Sequence, residues 1–109
     1  MDEQLNAMII RGSSADAFHK FYAEDVVAQE NDEPERVGRE DWMRARQEME
    51  KRIRRFDARV LAHAANGDTS FSEWEYNIEL EGMGTMRIVQ VAVRRWKDGR
   101  VVRERFYHK

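Results

Sequence analysis

Two glutamates stand where their surroundings could turn them into acid–base groups. Glu30 follows the apolar run Val26-Val27-Ala28 and precedes the polar turn Asn31-Asp32-Glu33-Pro34-Glu35. Glu104 lies within 100–108 and shares alternation parity with Val102, Phe106 and His108, the face expected to point inward. An acid between apolar residues is costly to bury unless it is paired or protonated. Burial can raise a carboxyl pKa by up to ~3–5 units, and a second carboxylate in the same cavity raises one of the two further. A raised carboxyl is what general acid–base catalysis near neutrality requires. Gln90 and Arg94 share one face of 85–97 with Ile88 and Trp96. A polar pair on an otherwise apolar face either orients a ligand or satisfies the glutamates, and the sequence leaves both open. Trp74, Tyr76 and Trp96 are large inward aromatics, suited to core packing or to the wall of a pocket for a flat or alicyclic molecule. The candidate set is therefore Glu30 and Glu104 as catalytic carboxylates. Tyr22, Trp74, Tyr76, Ile88, Gln90, Arg94, Trp96 and Phe106 are the candidate ligand contacts.

Other chemistries find no support. His19, His63 and His108 show no His-x-His or His-x-x-x-His spacing, and there is no cysteine, so no metal site is expected. No Gly-rich phosphate loop, nucleophile elbow or Ser/His/Asp arrangement occurs, and no cofactor is expected. The chain has 109 residues, one domain's worth, with 41% apolar and 37% charged residues. Its net charge of -2 argues against a dedicated nucleic-acid binder. No apolar run approaches the ~18 residues of a membrane span. The acidic start Met1-Asp2-Glu3-Gln4 is unlike a signal or transit peptide, and the lack of cysteine fits a reducing compartment, so the cytoplasm is the expected location. Residues 1–41 hold 11 acids and 4 bases, whereas 42–109 hold 10 acids and 15 bases. Such polarity fits two faces that complement each other within the fold or across a dimer. The basic stretch Lys51-Arg52-Ile53-Arg54-Arg55 could bind an anion, but Glu48, Glu50 and Asp57 interrupt its charge.

These residues need elements to position them. Leu5, Met8 and Ile9 form the stripe of a short helix over 2–11, which Gly12-Ser13-Ser14 ends. Ser14 suits the N-cap of a helix over 15–22, with Asp16 in its first turn and Ala15, Phe18, Phe21 and Tyr22 on one side. A short strand follows at 26–30. Trp42, Ala45, Met49, Ile53 and Phe56 step by 3, 4, 4 and 3, which predicts a third helix over roughly 39–56. The period then changes to two. Strands are expected at 57–65, 69–81, 85–97 and 100–108, separated by Asn66-Gly67-Asp68, Gly82-Met83-Gly84 and Asp98-Gly99. Helices first and an antiparallel meander second make an α+β fold, with helices on one face of a curved sheet. The strand at 85–97 is apolar on both faces. Val89, Val91 and Val93 on its outer side suggest a homodimer interface.

The wording within this layout resembles the nuclear transport factor 2-like superfamily, in its SnoaL-like and ketosteroid-isomerase-like branch. The matching residues are Asp16-Ala17-Phe18 through Phe21-Tyr22-Ala23-Glu24-Asp25-Val26, Arg36-Val37-Gly38-Arg39-Glu40, and Arg95-Trp96-Lys97-Asp98-Gly99-Arg100-Val101-Val102. The resemblance spans nearly all of residues 1–109, read as a single SnoaL-like domain. It implies a cone-shaped roll of three helices wrapped by a bent sheet, a small-molecule pocket in its mouth, and commonly a homodimer through the sheet's convex face. Isomerases, epoxide hydrolases, cyclases, dehydratases, non-catalytic ligand-binding cones and dimeric assembly modules share this cone, so the fold does not give the function. By resemblance, Glu30 occupies the position of the isomerases' general-base aspartate, one methylene longer. The tyrosine those enzymes carry in the first helix falls near Asn6, and their protonated strand acid near Ala92. Neither residue can donate in the same way, which argues against steroid isomerisation by that mechanism. The epoxide-hydrolase pattern of two aspartates bridged by an arginine is not evident, although Arg94 with Glu104 could imitate part of it.

Overall fold

The computed structural model describes residues 2–12 and 14–109, without the side chain of Ser14, so Ser13 of the expected break and the expected Ser14 cap lie outside the described residues. Three helices come first, α1 (Asp2–Ile10), α2 (Ser14–Phe21) and α3 (Arg39–Glu50). The strands are β1 (Tyr22–Glu30), β2 (Arg36–Val37), β3 (Ile53–Asn66), β4 (Thr69–Leu80), β5 (Gly84–Lys97) and β6 (Arg100–His108). They form one sheet in the order β2-β1-β6-β5-β4-β3. Every neighbouring pair is antiparallel except β1 and β6, which run parallel. This is the expected α+β arrangement. Among the described residues no helix is long and apolar enough to cross a membrane.

Alternation in β4 buries Ser70, Ser72, Trp74, Tyr76 and Ile78 on the inner face. Leu5 and Ile9 of α1, Ala17, Phe18 and Phe21 of α2, and Trp42 of α3 join this face in one apolar core. The Asp98-Gly99 turn takes positive φ at both residues, 52° and 78°, as a two-residue hairpin of type I′ requires.

Three expectations change, two boundaries and one inward face, and β-bulges account for two of them. The third helix stops at Glu50, and Ile53 and Phe56 belong to β3. They lie three apart yet pair with Leu80 and Ile78, both on one face, because the ladder skips a residue between Ile53 and Arg55. The extra residue mimics a helical step. A second bulge, between Arg95 and Trp96 of β5, pairs Arg95 with Arg103 and Trp96 with Val101. Val102 is left over, so Val101, not Val102, is fully buried. Tyr22 leaves the second helix and opens β1 opposite Val101.

Candidate functional site

A cavity of about 980 Å3 lies between α3 and the inner face of the sheet. Trp42, Ala45 and Met49 of α3 form one wall. Ile53, Phe56, Ile78 and Ile88 form the opposite one. This size and apolar character suit a small organic ligand.

Arg46 and Glu50 of α3, Gln29, Glu33, Glu35 and Arg36 around the β1–β2 turn, and Lys109 also line this space, and four further polar groups of the sheet enter it in a row. Tyr76 of β4, Gln90 of β5, His108 of β6 and Glu30 of β1 all line the cavity, one from each of four adjacent strands. Gln90 Nε2 donates to the Tyr76 hydroxyl at 3.4 Å. Gln90 and His108 are cross-strand partners. His108 Nε2 lies 3.2 Å from Glu30 Oε2. The His108 pKa is raised by its ring's hydrogen bond with the Lys109 carbonyl, against the opposing effect of partial burial, and Glu30 adds to the rise. Burial pushes the Tyr76 pKa up, so its hydroxyl keeps its proton; of the neighbouring charges, Arg46 and Arg94 work against this and Glu104 with it.

A second polar cluster fills the opposite end of the inner face. Arg94 is 2% exposed and Glu104 1%. Arg94 Nε donates to Glu104 Oε2 at 2.5 Å, and its Nη1 donates to Asp2 Oδ1 at 2.8 Å and to Asn6 Oδ1 at 2.6 Å. The Tyr22 hydroxyl donates to Glu104 Oε2 at 2.6 Å. Ser72 donates to Asp2 Oδ2 at 2.8 Å, and His63 Nε2 sits 2.9 Å from the same oxygen. Burial opposes ionisation of Asp2, but the charge and hydrogen bond of Arg94 and the serine hydroxyls outweigh it and hold its pKa below the ordinary value. Burial also opposes the Arg94 charge, and Tyr22, Glu104 and Asp2 overcome it, so its pKa is raised. Tyr22 is pushed well above its usual range by burial and by Glu104.

The expected site residues thus divide between two places. Glu30, Tyr76, Ile88, Gln90 and Phe106 line the cavity. Glu104, Arg94 and Tyr22 belong to the buried cluster, while Trp74 lies in the apolar core with Trp96 packed against it. Trp74 is fully buried and stacks on Tyr76 at 5.5 Å, and Trp96 donates its indole N–H to Ser70 at 3.0 Å. The structure does not bring Glu30 and Glu104 together, since each keeps its own partners. Of the two positions where the resemblance looked for oxyanion donors, Asn6 binds Arg94, and Ala92 sits between Ser72 and Phe106. Arg94 with Glu104 was expected to imitate only part of a pattern of two aspartates bridged by an arginine, and Asp2 supplies a second carboxylate on Arg94, so the bridge is aspartate–arginine–glutamate.

Sequence reading gave no site role to Asp2, Asn6, His63 or His108, although it set His108 on the inward face with Glu104. Asp2 and Asn6 did carry a signal, since they fall on the same helical stripe as Leu5 and Ile9. His63 carried none. The β3 ladder skips a residue between Val60 and Ala62, which turns His63 inward opposite Ser72.

The SnoaL-like domain family matches residues 3–104. The chain belongs to this family. The resemblance carried by Asp16 through Val26 and by Arg95 through Val102 therefore holds. No curated protein sequence matches the chain. Among solved structures, a candidate SnoaL-like polyketide cyclase of Mesorhizobium loti is similar at 20% identity and a TM-score of 0.81, over 96% of this chain and 93% of that one. An LEH-like epoxide hydrolase of M. tuberculosis superposes at 19% identity and 0.78, covering 96% and 76%. A protein of ketosteroid-isomerase-like fold from Catenulispora acidiphila, in complex with trimethylamine, does so at 16% and 0.78, covering 93% and 79%. At these identities the likeness establishes the SnoaL-like chain's fold and leaves its chemistry to its own residues.

Proposed function

We propose that this SnoaL-like domain binds an apolar or alicyclic small molecule in the cavity and moves a proton on it, with Glu30 as the general acid–base. The observation that carries this reading is the Glu30–His108 pair at the edge of a cavity walled by Trp42, Met49, Ile53, Phe56, Ile78 and Ile88. On a ligand with a carbonyl, the Glu30 carboxylate takes a proton from the adjacent carbon. The C–H electron pair becomes the new C=C bond, and the carbonyl π pair moves to oxygen. Return of the proton to the same or a conjugated carbon completes exchange or isomerisation. His108 holds the carboxylate at the cavity edge, and Glu104 assists from the buried cluster, where its charge helps keep the Tyr76 proton in place. Solved relatives of this fold include a trimethylamine complex and an epoxide hydrolase, which supports small-molecule use of such a cavity.

The test is exchange of the α-hydrogens of 2-tetralone, a bicyclic ketone, in deuterated water. Wild type is expected to accelerate exchange. Glu30→Gln, nearly isosteric and unable to take the proton, is expected to lose about 10²–10⁴-fold. Equal rates in the two proteins would remove Glu30 from the chemistry and leave a binding cone without catalysis.

A further inference from the structure

Arg46 is a cation drawn partly out of water without the partners that such a group needs. It stands on α3 one turn after Trp42 and lines the cavity. Its side chain is 22% exposed. Its Nε lies 3.5 Å from Glu50 Oε1, an i,i+4 ion pair, and among the described residues its guanidinium donates no hydrogen bond. Arg94, by contrast, has three acceptors within 2.8 Å. A long helix-surface pair is worth little, so a better acceptor displaces it at small cost. The Arg46 charge is felt across the cavity. Of the charged groups it acts most strongly on the Tyr76 hydroxyl of the facing sheet, and it reaches Tyr22 as well. The other cations at this cavity are placed differently. Arg36 is largely exposed beside Asp41 at 3.8 Å, and His108 is engaged with Glu30 at 3.2 Å.

We propose that Arg46 anchors a carboxylate of the ligand, so that the cavity takes an apolar carboxylic acid, with its acid group at α3 and its body against Phe56, Ile78 and Ile88. This rests on the reading of the cavity as a small-molecule site and names the ligand class within it; it does not depend on Glu30 moving a proton. The planar fork of a guanidinium matches the two oxygens of a carboxylate, and such charge-assisted pairs are stronger than neutral hydrogen bonds. Glu30, Glu33, Glu35 and Glu50 also line the cavity. A doubly charged phosphate would meet more repulsion from them than a singly charged carboxylate does. Arg46 comes from the helix layer and Glu30 from the sheet, so the anchored group is not the one on which Glu30 works. An anchor of this kind acts alike on ground and transition states and tightens binding without speeding the chemical step.

The test is calorimetric titration at neutral pH with 2-naphthoate and with 2-naphthamide, which has the same body and no charge. Wild type is expected to bind the acid about 10-fold more tightly than the amide. Arg46→Met is expected to lose that preference and to keep its affinity for the amide. Glu50→Gln leaves the arginine in place, removes its competitor and serves if Arg46→Met folds poorly; it is expected to bind the acid more tightly than wild type does, with the amide unchanged. Equal affinity of wild type for the two molecules overturns the proposal. So does a preference for the acid that survives in Arg46→Met, or an unchanged affinity for the acid in Glu50→Gln. Failure of the cavity reading looks different, with neither molecule binding saturably to wild type, and it takes the proposal with it. Failure of the Glu30 reading shows only in the exchange of 2-tetralone and leaves the preference for the acid intact.

Discussion

Arg94 is the charge on which the buried end of the molecule depends. It is shared by Asp2, Asn6 and Glu104, three groups from two distant parts of the chain, so its removal leaves two buried carboxylates without their cation. Breaking one partner of a buried ion pair costs about 3–5 kcal/mol, and Arg94→Met is expected to lose that much at neutral pH in urea denaturation. The pH dependence should change sign with it. In wild type, Asp2 is held below its ordinary value of 3.8, so the unfolded chain takes up the proton first. That part of the stability is fully present above about pH 4 and is lost as pH falls through the lowered folded value. In Arg94→Met, acid instead neutralises a stranded carboxylate, and the difference from wild type should narrow as pH falls. A constant difference from pH 7 to pH 3 would show that Arg94 acts through its packing alone. The glutamate and arginine of this cluster were legible as an inward acid and an inward cation of one sheet face. Their partner Asp2 was not, because an acid at a helix start is also what the helix dipole favours on any exposed helix.

At the scale of elements, the short β2 and the turn into α3 place Trp42 against Phe106 and the cavity. Gly38 makes that turn with φ 107° and ψ 130°, and its amide donates to the Val26 carbonyl at 2.8 Å. A side chain there would meet no neighbour within 4 Å, so the whole cost of Gly38→Ala is backbone strain. That cost is about 1–2 kcal/mol, to be read as a lowered urea midpoint with unchanged slope. A midpoint equal to wild type would mean the turn relaxes into an ordinary conformation. Helix and strand order, the Asp98-Gly99 hairpin and the inner face of β4 were all legible in the sequence, because period and turn chemistry are local. The bulges were not. Each inserts one residue whose identity is unremarkable (Arg54, Leu61, Val102), and each reverses which residues beyond it point inward. The candidate site suffered the same way, since Glu30, Gln90 and Tyr76 follow uninterrupted alternation and were found, whereas His63 lies past a bulge and was not.

For the whole molecule, the outer face of the sheet poses a problem that the inner face does not. Val89, Phe71 and Tyr107 are exposed there, flanking the half-buried Val91 and Val93. Val91 lies between Glu73 and Tyr107, and Val93 between Phe71 and Arg105, so the strip crosses three strands. Its charges are set to its sides. Glu75 is held at 3.0 Å by Arg59 and at 2.6 Å by Arg87, which neutralises the end near Val89. At the other end Arg95 faces Arg103 directly across the ladder, and like charges so placed repel. Among the described residues Arg95 forms no ion pair, while Arg103 has only the exposed Glu35. A two-fold partner would cover the apolar strip and could bring acidic side chains to this corner, which is why we favour a homodimer through Val89, Val91 and Val93. Wild type is then expected to sediment as a dimer. Val91→Glu, which sets a carboxylate in the middle of the strip beside Glu73, is expected to sediment as a monomer with an unchanged circular dichroism spectrum. Because the cavity opens on the other side of the sheet, ketone binding by that monomer should match wild type. A wild-type monomer, or a Val91→Glu dimer, would place any self-association elsewhere and leave the strip for a different partner.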